Sequence, residues 1–125
     1  MKQVTRNIDP DSVRDLLVRC PRACLCFACE QGPQAQPIVL VWKDGRYLAG
    51  IPPHADWQPG PGQEVVLLID EGVHFFELRA LYIRGRLEPA EAPKEAPGGH
   101  TWVEVVPLKT IAWDYGMLRE VKDEE

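Results

Sequence analysis

The amino-acid sequence predicts a mainly β fold, in which one short N-terminal helix precedes about six antiparallel strands that close into a small barrel. Three observations favour this architecture. Helical periodicity is found at the start of the chain, short apolar runs rich in strand formers follow it, and tight-turn signals separate those runs. Strands joined by tight turns pair antiparallel, and six half-polar strands bury their apolar faces most economically in a barrel.

The predicted N-terminal helix region covers residues 1–22. Asp9 is a good N-cap, Pro10 suits the first helical position, and Pro21 is expected to end the helix. Between them, apolar residues recur with the spacing i, i+3, i+4 and i+7, at Val13, Leu16, Leu17 and Cys20. This spacing places one apolar face on the helix, which we expect to pack inward.

Strand formers are concentrated in six further segments, namely 23–30, 37–43, 46–51, 64–70, 74–88 and 100–113. Gly32-Pro33 and Asp44-Gly45 mark turns, and Asp-Gly is typical of two-residue hairpins. Residues 52–63 hold four prolines and two glycines, so they are predicted to form an irregular loop. Residues 89–99 are expected to form a second loop, and residues 117–125 a charged tail.

The fifth strand segment shows the clearest alternation. Leu81, Ile83 and Leu87 are predicted to share one face, while Tyr82, Arg84 and Arg86 share the other. The last segment is expected to be interrupted at Pro107, because proline removes a backbone donor from a ladder.

Composition narrows the class of protein. With 125 residues, of which 45% are hydrophobic, the chain is expected to form one domain over residues 1–125. A net charge of -5 argues against nucleic acid, and no apolar run approaches the roughly 20 residues of a membrane helix. The N-terminus has no apolar signal core, so we expect a cytoplasmic protein with free thiols and no membrane association.

Four cysteines lie within ten residues, at Cys20, Cys24, Cys26 and Cys29. Four thiolates can hold zinc or an iron–sulfur cluster, but this spacing is not a usual ligand pattern. On a strand, Cys24 and Cys26 share a face from which Cys29 points away. We therefore expect small buried side chains and no metal site, although the sequence leaves the role of the cluster open.

Other catalytic signatures are missing from the sequence. Ser12 is the only serine, and the chain has no nucleophile elbow, P-loop or G-x-G-x-x-G motif, which argues against serine hydrolases and P-loop NTPases. No catalytic residue is predicted. His54, in the irregular loop, is the histidine of most interest, and the four tryptophans are expected in the core or an interface, at Trp42, Trp57, Trp102 and Trp113.

Three segments resemble the pyridoxamine 5'-phosphate oxidase-like, FMN-binding split-barrel family. Residues 65–88, VVLLIDEGVHFFELRALYIRGRLE, pair an apolar strand ending at Asp70 with a long strand carrying Arg79, Gly85 and Arg86. The hairpin PIVLVWKDGRYLAGI resembles the family's second and third strands. The ending VEVVPLKTIAWDYG resembles its final strand, with Trp113 in a familiar place. Order and spacing carry the resemblance, because no single motif is diagnostic.

The resemblance implies a six-stranded antiparallel split β-barrel, a homodimer, and FMN in a groove at the subunit interface. In such proteins, backbone groups of the second and third strands meet the flavin ring. The cofactor-binding residues it implies here are Val39, Leu40, Val41, Leu48, Ala49, Gly50, His54 and Trp113, the last from the partner chain.

The positions that hold the phosphate in the family differ in this chain. Flavin-binding members use Arg, Lys, Ser or Thr near the second strand and in a helix after the third. Here the second strand begins Gln36-Pro37, and the segment HADWQPGPGQ contains none of these residue types. Two hypotheses follow: a flavin-dependent oxidoreductase of unknown substrate, or a split barrel that has lost FMN and serves as a binding or structural module, with another small molecule as its candidate ligand.

Overall fold

The computed structural model of the chain describes residues 4–5, 7–19, 22–56, 60–94, 96–116 and 119–120. Its elements, in chain order, are β1 (Val4–Thr5), β2 (Asn7–Ile8), a 3-10 helix (Pro10–Val13), α1 (Asp15–Arg19), β3 (Ala23–Cys29), β4 (Gly32–Pro37), β5 (Val39–Lys43), β6 (Arg46–Ile51), β7 (Glu64–Glu71), a 3-10 helix (Phe75–Glu77), β8 (Arg79–Pro89), β9 (Thr101–Asp114) and β10 (Arg119–Glu120). The mainly β prediction is confirmed.

One antiparallel sheet dominates the fold, with its strands in the order β4-β3-β7-β8-β9-β6-β5; β2 adds to β9, and β1 pairs separately with β10. Strands β4 and β5 lie at opposite edges of this sheet, yet only Ile38 separates them in the chain. The Ile38 N–H donates to the carbonyl of Ala23 on β3, at 3.2 Å. The chain therefore passes from one edge to the other, and the sheet curls into a half-barrel.

The N-terminal helix is shorter than predicted. The Asp9 carboxylate caps it by accepting from the Asp11 N–H at 3.0 Å, but a 3-10 turn occupies the first four positions and α1 only five. Val13 and Leu16 are fully buried and Leu17 nearly so, which confirms three of the four predicted inward positions. Cys20 and Pro21 lie outside the described residues.

The prediction of six strands is wrong, because the main sheet contains seven strands and the short β2. The missed strand is β4, whose sequence GPQAQP indicates a turn. It pairs with β3 from Cys24↔Pro37 to Cys29↔Gly32. Because β4 lies at the edge of the sheet, its prolines can lack backbone donors without breaking a central ladder.

The fifth predicted strand begins later than residue 74. Gly72 has φ +100°, and a Cβ there would lie 2.5 Å from the Glu77 carbonyl oxygen, so the chain turns tightly into the 3-10 helix. β8 then starts at Arg79. The predicted alternation within it is confirmed, since Leu81, Ile83 and Leu87 are buried while Arg84 and Arg86 are exposed.

A β-bulge interrupts the pairing of β8 with β9. Arg84 lies opposite Lys109 and Gly85 opposite Pro107, so Leu108 is an extra residue on β9. The strand continues through Pro107, so the predicted interruption is a bulge rather than a break. Gly85 is required here, because a Cβ would collide with the backbone carbonyl of Val106.

The sheet has two apolar faces. The inner face forms the core, which contains Leu25, Leu67, Ile69, Ile83, Leu87 and Val105 with no exposed surface. Residues of opposite parity on β3, β7, β8 and β9 form what we call the outer apolar face, made by Cys24, Cys26, Val66, Leu68, Tyr82, Ile111 and Trp113. These outer residues are half-buried within one chain. Among the residues placed, no helix has the length and apolar character needed to cross a membrane.

Candidate ligand-binding site

The β5–β6 hairpin carries six of the eight predicted cofactor-binding residues. Asp44 (φ 54°) and Gly45 (φ 72°) form its two-residue turn, in which both central residues have positive φ, as Asp-Gly favours. The resulting register sets the two predicted segments against each other, with Val39↔Gly50, Leu40↔Ala49 and Val41↔Leu48. Since β5 ends the sheet, one side of its backbone faces no neighbouring strand of the ladder.

Alternation divides these six residues between the two faces of the sheet. Leu40 and Ala49 point into the core and are buried. Val39, Val41, Leu48 and Gly50 lie on the opposite face, and Val39 is 37% exposed. We call these four residues the apolar shelf. Val39 and the half-buried Val41 offer a ligand apolar contacts beside the outer edge of β5, whereas Leu48 and Gly50 are buried within the chain.

Trp102 completes the shelf, although the sequence gives no signal for it. It lies opposite Gly50 in the β6–β9 register and is only 6% exposed. A Cβ added to Gly50 would lie 2.7 Å from Cζ2 of Trp102, so the indole occupies the space over this glycine. The side chain of Trp102 therefore covers the Gly50 end of the shelf.

An ion pair borders the shelf on the side of β9. Arg46 donates to Oε1 of Glu104 from Nη2 at 2.6 Å and from Nε at 3.1 Å. This bond is the main reason that the pKa of Arg46 lies above its ordinary value. A pocket of about 440 Å³ opens between Arg46 and residues 89–91. The site thus combines an apolar floor with a polar pocket of a size that accepts part of a cofactor.

His54 lies in the loop after β6, where it is exposed. The Ala55 N–H donates to the Pro52 carbonyl at 3.1 Å and closes the turn around it. His54 is therefore near the end of β6, but the described loop brings no lysine or arginine with it. Trp57, in the same loop, lies outside the described residues.

Trp113 lies at the opposite end of β9 from Trp102. It stands across from Ala80, and its ring centroid is 5.9 Å from that of Tyr82. A small apolar pocket of about 130 Å³ opens beside it, between Leu68 and Tyr115. Eleven residues of strand separate the two tryptophans, about 35 Å at the usual rise. One chain therefore does not bring Trp113 to the apolar shelf.

Two residues that carry the family resemblance are engaged in ion pairs. Arg22 donates to both oxygens of Asp70, at 2.8 and 3.1 Å. Arg79 bonds Asp15 of α1 and Glu71 of β7. The bonds from Arg79 and Arg19 lower the pKa of Asp15 to about 2. The bonds of Arg79 tie α1 to the sheet, and those of Arg22 tie the start of β3 to β7, so Asp70 and Arg79 both have a structural role.

The described cysteines lie on the predicted faces, but the prediction that they are buried is wrong, because Cys24 and Cys26 are half-buried and Cys29 is exposed. Cys24 and Cys26 share the outer face with their Sγ atoms 3.9 Å apart, whereas the Cys29 thiol donates to the Gly32 carbonyl. Burial, with Cys26 and Asp70 nearby, raises the pKa of Cys24 to about 11, so its thiol is protonated at neutral pH. In the part of the chain that the structure covers, which omits Cys20, no three His, Cys, Asp or Glu side chains form a metal-binding group.

Comparison with known proteins gives matches to structures only. No family model matches the sequence, and no curated protein does. A FAD-binding protein from Mycobacterium smegmatis superposes with a TM-score of 0.67 at 13% identity, over 96% of this chain and 100% of the other. A FAD-binding protein from Mesorhizobium loti gives 0.59 at 14% identity, over 98% and 100%.

A third solved structure, from Corynebacterium glutamicum, is described as a "Putative pyridoxamine 5'-phosphate oxidase". It superposes with a TM-score of 0.60 at 12% identity, over 87% of this chain and 90% of the other. The chain has the split-barrel fold. The predicted resemblance is thereby confirmed at the level of the fold, and these neighbours match the split barrel over nearly its whole length.

Proposed function

We propose that this split barrel is a cytoplasmic flavin-dependent oxidoreductase that binds a flavin nucleotide, FMN by family resemblance, at the apolar shelf. One observation carries the proposal: β5 ends the sheet, so its outer backbone edge lies directly beside the exposed Val39 and the half-buried Val41. A flavin ring needs an apolar surface together with backbone hydrogen-bonding groups at its polar edge, and this position offers both.

The residues present fit the ring of such a cofactor. Val39 and Val41 would contact its apolar part, and backbone groups of β5 would hydrogen-bond its polar edge. When bound, the flavin would supply the electron transfer, while the protein fixes its orientation and limits access of water. The polar pocket beside Arg46 leaves room for a substrate or for the rest of the cofactor.

Two solved neighbours support a flavin rather than another planar ligand. Both are described as FAD-binding proteins, and both cover nearly all of this chain. The identities of 13% and 14% do not carry residue roles across. The choice between FMN and FAD is therefore a matter for measurement.

We propose further that the protein works as a homodimer. The outer apolar face is only half-buried within one chain, and it ends at Trp113 beside an open pocket. Because Trp113 lies about 35 Å along β9 from the shelf of its own chain, it can reach a shelf only in a second copy. In a two-fold arrangement, each Trp113 would lie near the partner's shelf, and the contact would cover apolar residues on both chains.

A specific observation favours a second candidate function. The Trp102 ring already fills the space over Gly50, and residues 52–63 offer no cationic side chain for a phosphate. A split barrel with this self-filled surface would serve as a binding module without flavin. The two candidate functions share the same fold and differ in whether the protein binds flavin. The fold alone therefore does not decide between them.

Flavin fluorescence titration tests the proposal. We expect the purified protein to quench FMN or FAD in the micromolar range, and Val41→Glu to abolish quenching by placing a charge on the shelf. Val18→Glu is the matched control, because Val18 is 73% exposed and lies on α1 rather than on the shelf. Absence of quenching by the wild type with FMN, FAD and riboflavin would favour the second candidate. Light scattering of the same samples should give twice the mass of one chain, and a monomer would contradict the dimer.

A further inference from the structure

We propose that Arg84, Arg86 and Lys109 form a binding site for a phosphate group on the outer side of the sheet. These three side chains surround the β-bulge at which β8 and β9 change register. The proposal concerns a position different from the family's phosphate positions, which lack cationic residues in this chain.

The register brings the three cations around one point. Arg84 and Lys109 stand directly opposite each other on adjacent strands, where Cβ atoms are usually about 5 Å apart. Arg86 lies two residues further along the same face of β8, about 7 Å from Arg84. All three side chains are exposed; Arg84 is held by its ion pair with Glu64, whereas the charged ends of Arg86 and Lys109 form no ion pair among the described residues and can turn toward the bulge.

The local charge is unbalanced. Glu64 is the nearest carboxylate in the ladder and lies opposite Arg86, but its ion pair is with Nε of Arg84. Among the described residues, neither Arg86 nor Lys109 takes part in an ion pair. Three cations against two carboxylates, Glu64 and the exposed Glu88 on the same face of β8, leave a local charge of about +1 in a chain whose net charge is -5. Like charges placed directly opposite repel, so a bound anion would stabilise this arrangement.

Donors remain available for that anion. The guanidinium of an arginine carries five N–H donors, and the ion pair with Glu64 engages Nε of Arg84. The other N–H groups of Arg84, with those of Arg86 and the ammonium of Lys109, suit the several acceptor oxygens of a phosphate. Charge-assisted bonds of this kind are what a group carrying close to two negative charges requires.

The surroundings of the cations indicate the class of ligand. On one side the bulge exposes two apolar side chains, Val106 at 40% and Leu108 at 55%. On the other side the outer apolar face begins at Tyr82 and Ile111, which pair with each other. A phosphate ester whose organic part is planar or apolar fits both features. A flavin nucleotide belongs to this class, and so does a phosphorylated aromatic substrate.

The site is tested first with inorganic pyrophosphate, so its test does not depend on the proposed flavin function. Calorimetric titration should show that Arg86→Gln/Lys109→Gln raises the dissociation constant about tenfold or more. Arg14→Gln/Lys94→Gln is the matched control, since it removes the same charges from exposed positions elsewhere, and we expect less than about a twofold change. Equal weakening in both variants, or no binding by the wild type, would overturn the proposal.

A second arm identifies the source of the phosphate by comparing FMN with riboflavin, which lacks it. If Arg86→Gln/Lys109→Gln weakens FMN about tenfold and leaves riboflavin unchanged, the site holds the cofactor's phosphate. If it weakens pyrophosphate alone, the site serves a separate phosphorylated ligand. If no variant binds any flavin while pyrophosphate binding still depends on these two residues, the proposed function fails and the phosphate site stands. Weakening of riboflavin as strongly as FMN would show a general structural effect and would overturn the proposal.

Discussion

The two tryptophans of β9 occupy opposite ends of one strand and differ in what surrounds them. Trp102 is 6% exposed, and its indole fits against Gly50 of the neighbouring strand. Trp113 is half-buried against Tyr82, next to an open pocket of about 130 Å³. Trp102 is buried by contacts within its own chain, whereas part of the Trp113 surface remains accessible to another molecule. Residue type alone therefore does not distinguish a structural tryptophan from one that is available for binding.

The largest expected effect follows removal of the buried tryptophan. Trp102→Ala should lower the free energy of unfolding by about 3–5 kcal/mol, because it empties a well-filled space between β6 and β9. Urea denaturation followed by circular dichroism measures this change. A loss below about 1 kcal/mol would show that Trp102 contributes no more to the free energy of unfolding than Trp113 does.

A smaller loss is expected when the partner of that ring is changed. Gly50→Ala places a Cβ 2.7 Å from Trp102, so the indole must shift, at a cost of about 2 kcal/mol. Gly98→Ala is the control, since a Cβ there meets nothing within 4 Å. The same denaturation experiment applies, and Gly50→Ala combined with Trp102→Ala should cost less than the sum of the two single changes.

Trp113 should behave differently on both counts. We expect Trp113→Ala to lower the stability of a single chain by only about 1 kcal/mol, mainly through the lost contact with Tyr82. It should also shift light scattering from dimer toward monomer and weaken flavin quenching. If stability falls as far as in Trp102→Ala while the mass stays that of a dimer, the distinction between the two ends of β9 is wrong.

The smallest effect concerns the ion pairs at the Trp113 end. Arg79 lies opposite Asp114 and bonds Asp15, whose pKa falls to about 2. Because this pKa is below its unfolded value near 4, the stabilisation is present above about pH 4 and is lost as the pH falls toward 2. Asp15 is 46% exposed, so the contribution should stay below about 1 kcal/mol. The urea midpoint should therefore change less between pH 6 and pH 3 in Asp15→Asn than in the wild type. An identical change in both proteins would show that Asp15 does not contribute this stabilisation.

The hairpin at the centre of the site could be predicted because its signals are local. Asp44 and Gly45 adopt the positive φ values that their residue types favour, and β6 has the predicted bounds Arg46–Ile51. The alternation of buried and exposed residues on β8 could be predicted for the same reason. β4 could not be read from its sequence, because two prolines indicate a turn unless the segment is known to be an edge strand.

The surroundings of the site depend on contacts between distant parts of the chain. Trp102 meets Gly50 only through the β6–β9 register, which local patterns do not specify. The cluster of Arg84, Arg86 and Lys109 likewise depends on a bulge that joins residues more than twenty positions apart. A single sequence shows which residues are present on each strand. It does not show which of them lie opposite each other in the sheet.

The two prolines of β4 have a consequence for aggregation. An edge strand with free backbone groups is a template on which another chain can add, and Pro33 and Pro37 remove donors from this edge. The opposite edge, β5, has no proline, and Val39 and Val41 are accessible beside it. Unwanted strand addition between molecules should therefore start at β5. A ligand or second copy that covers this edge would also keep the protein monodisperse at higher concentration.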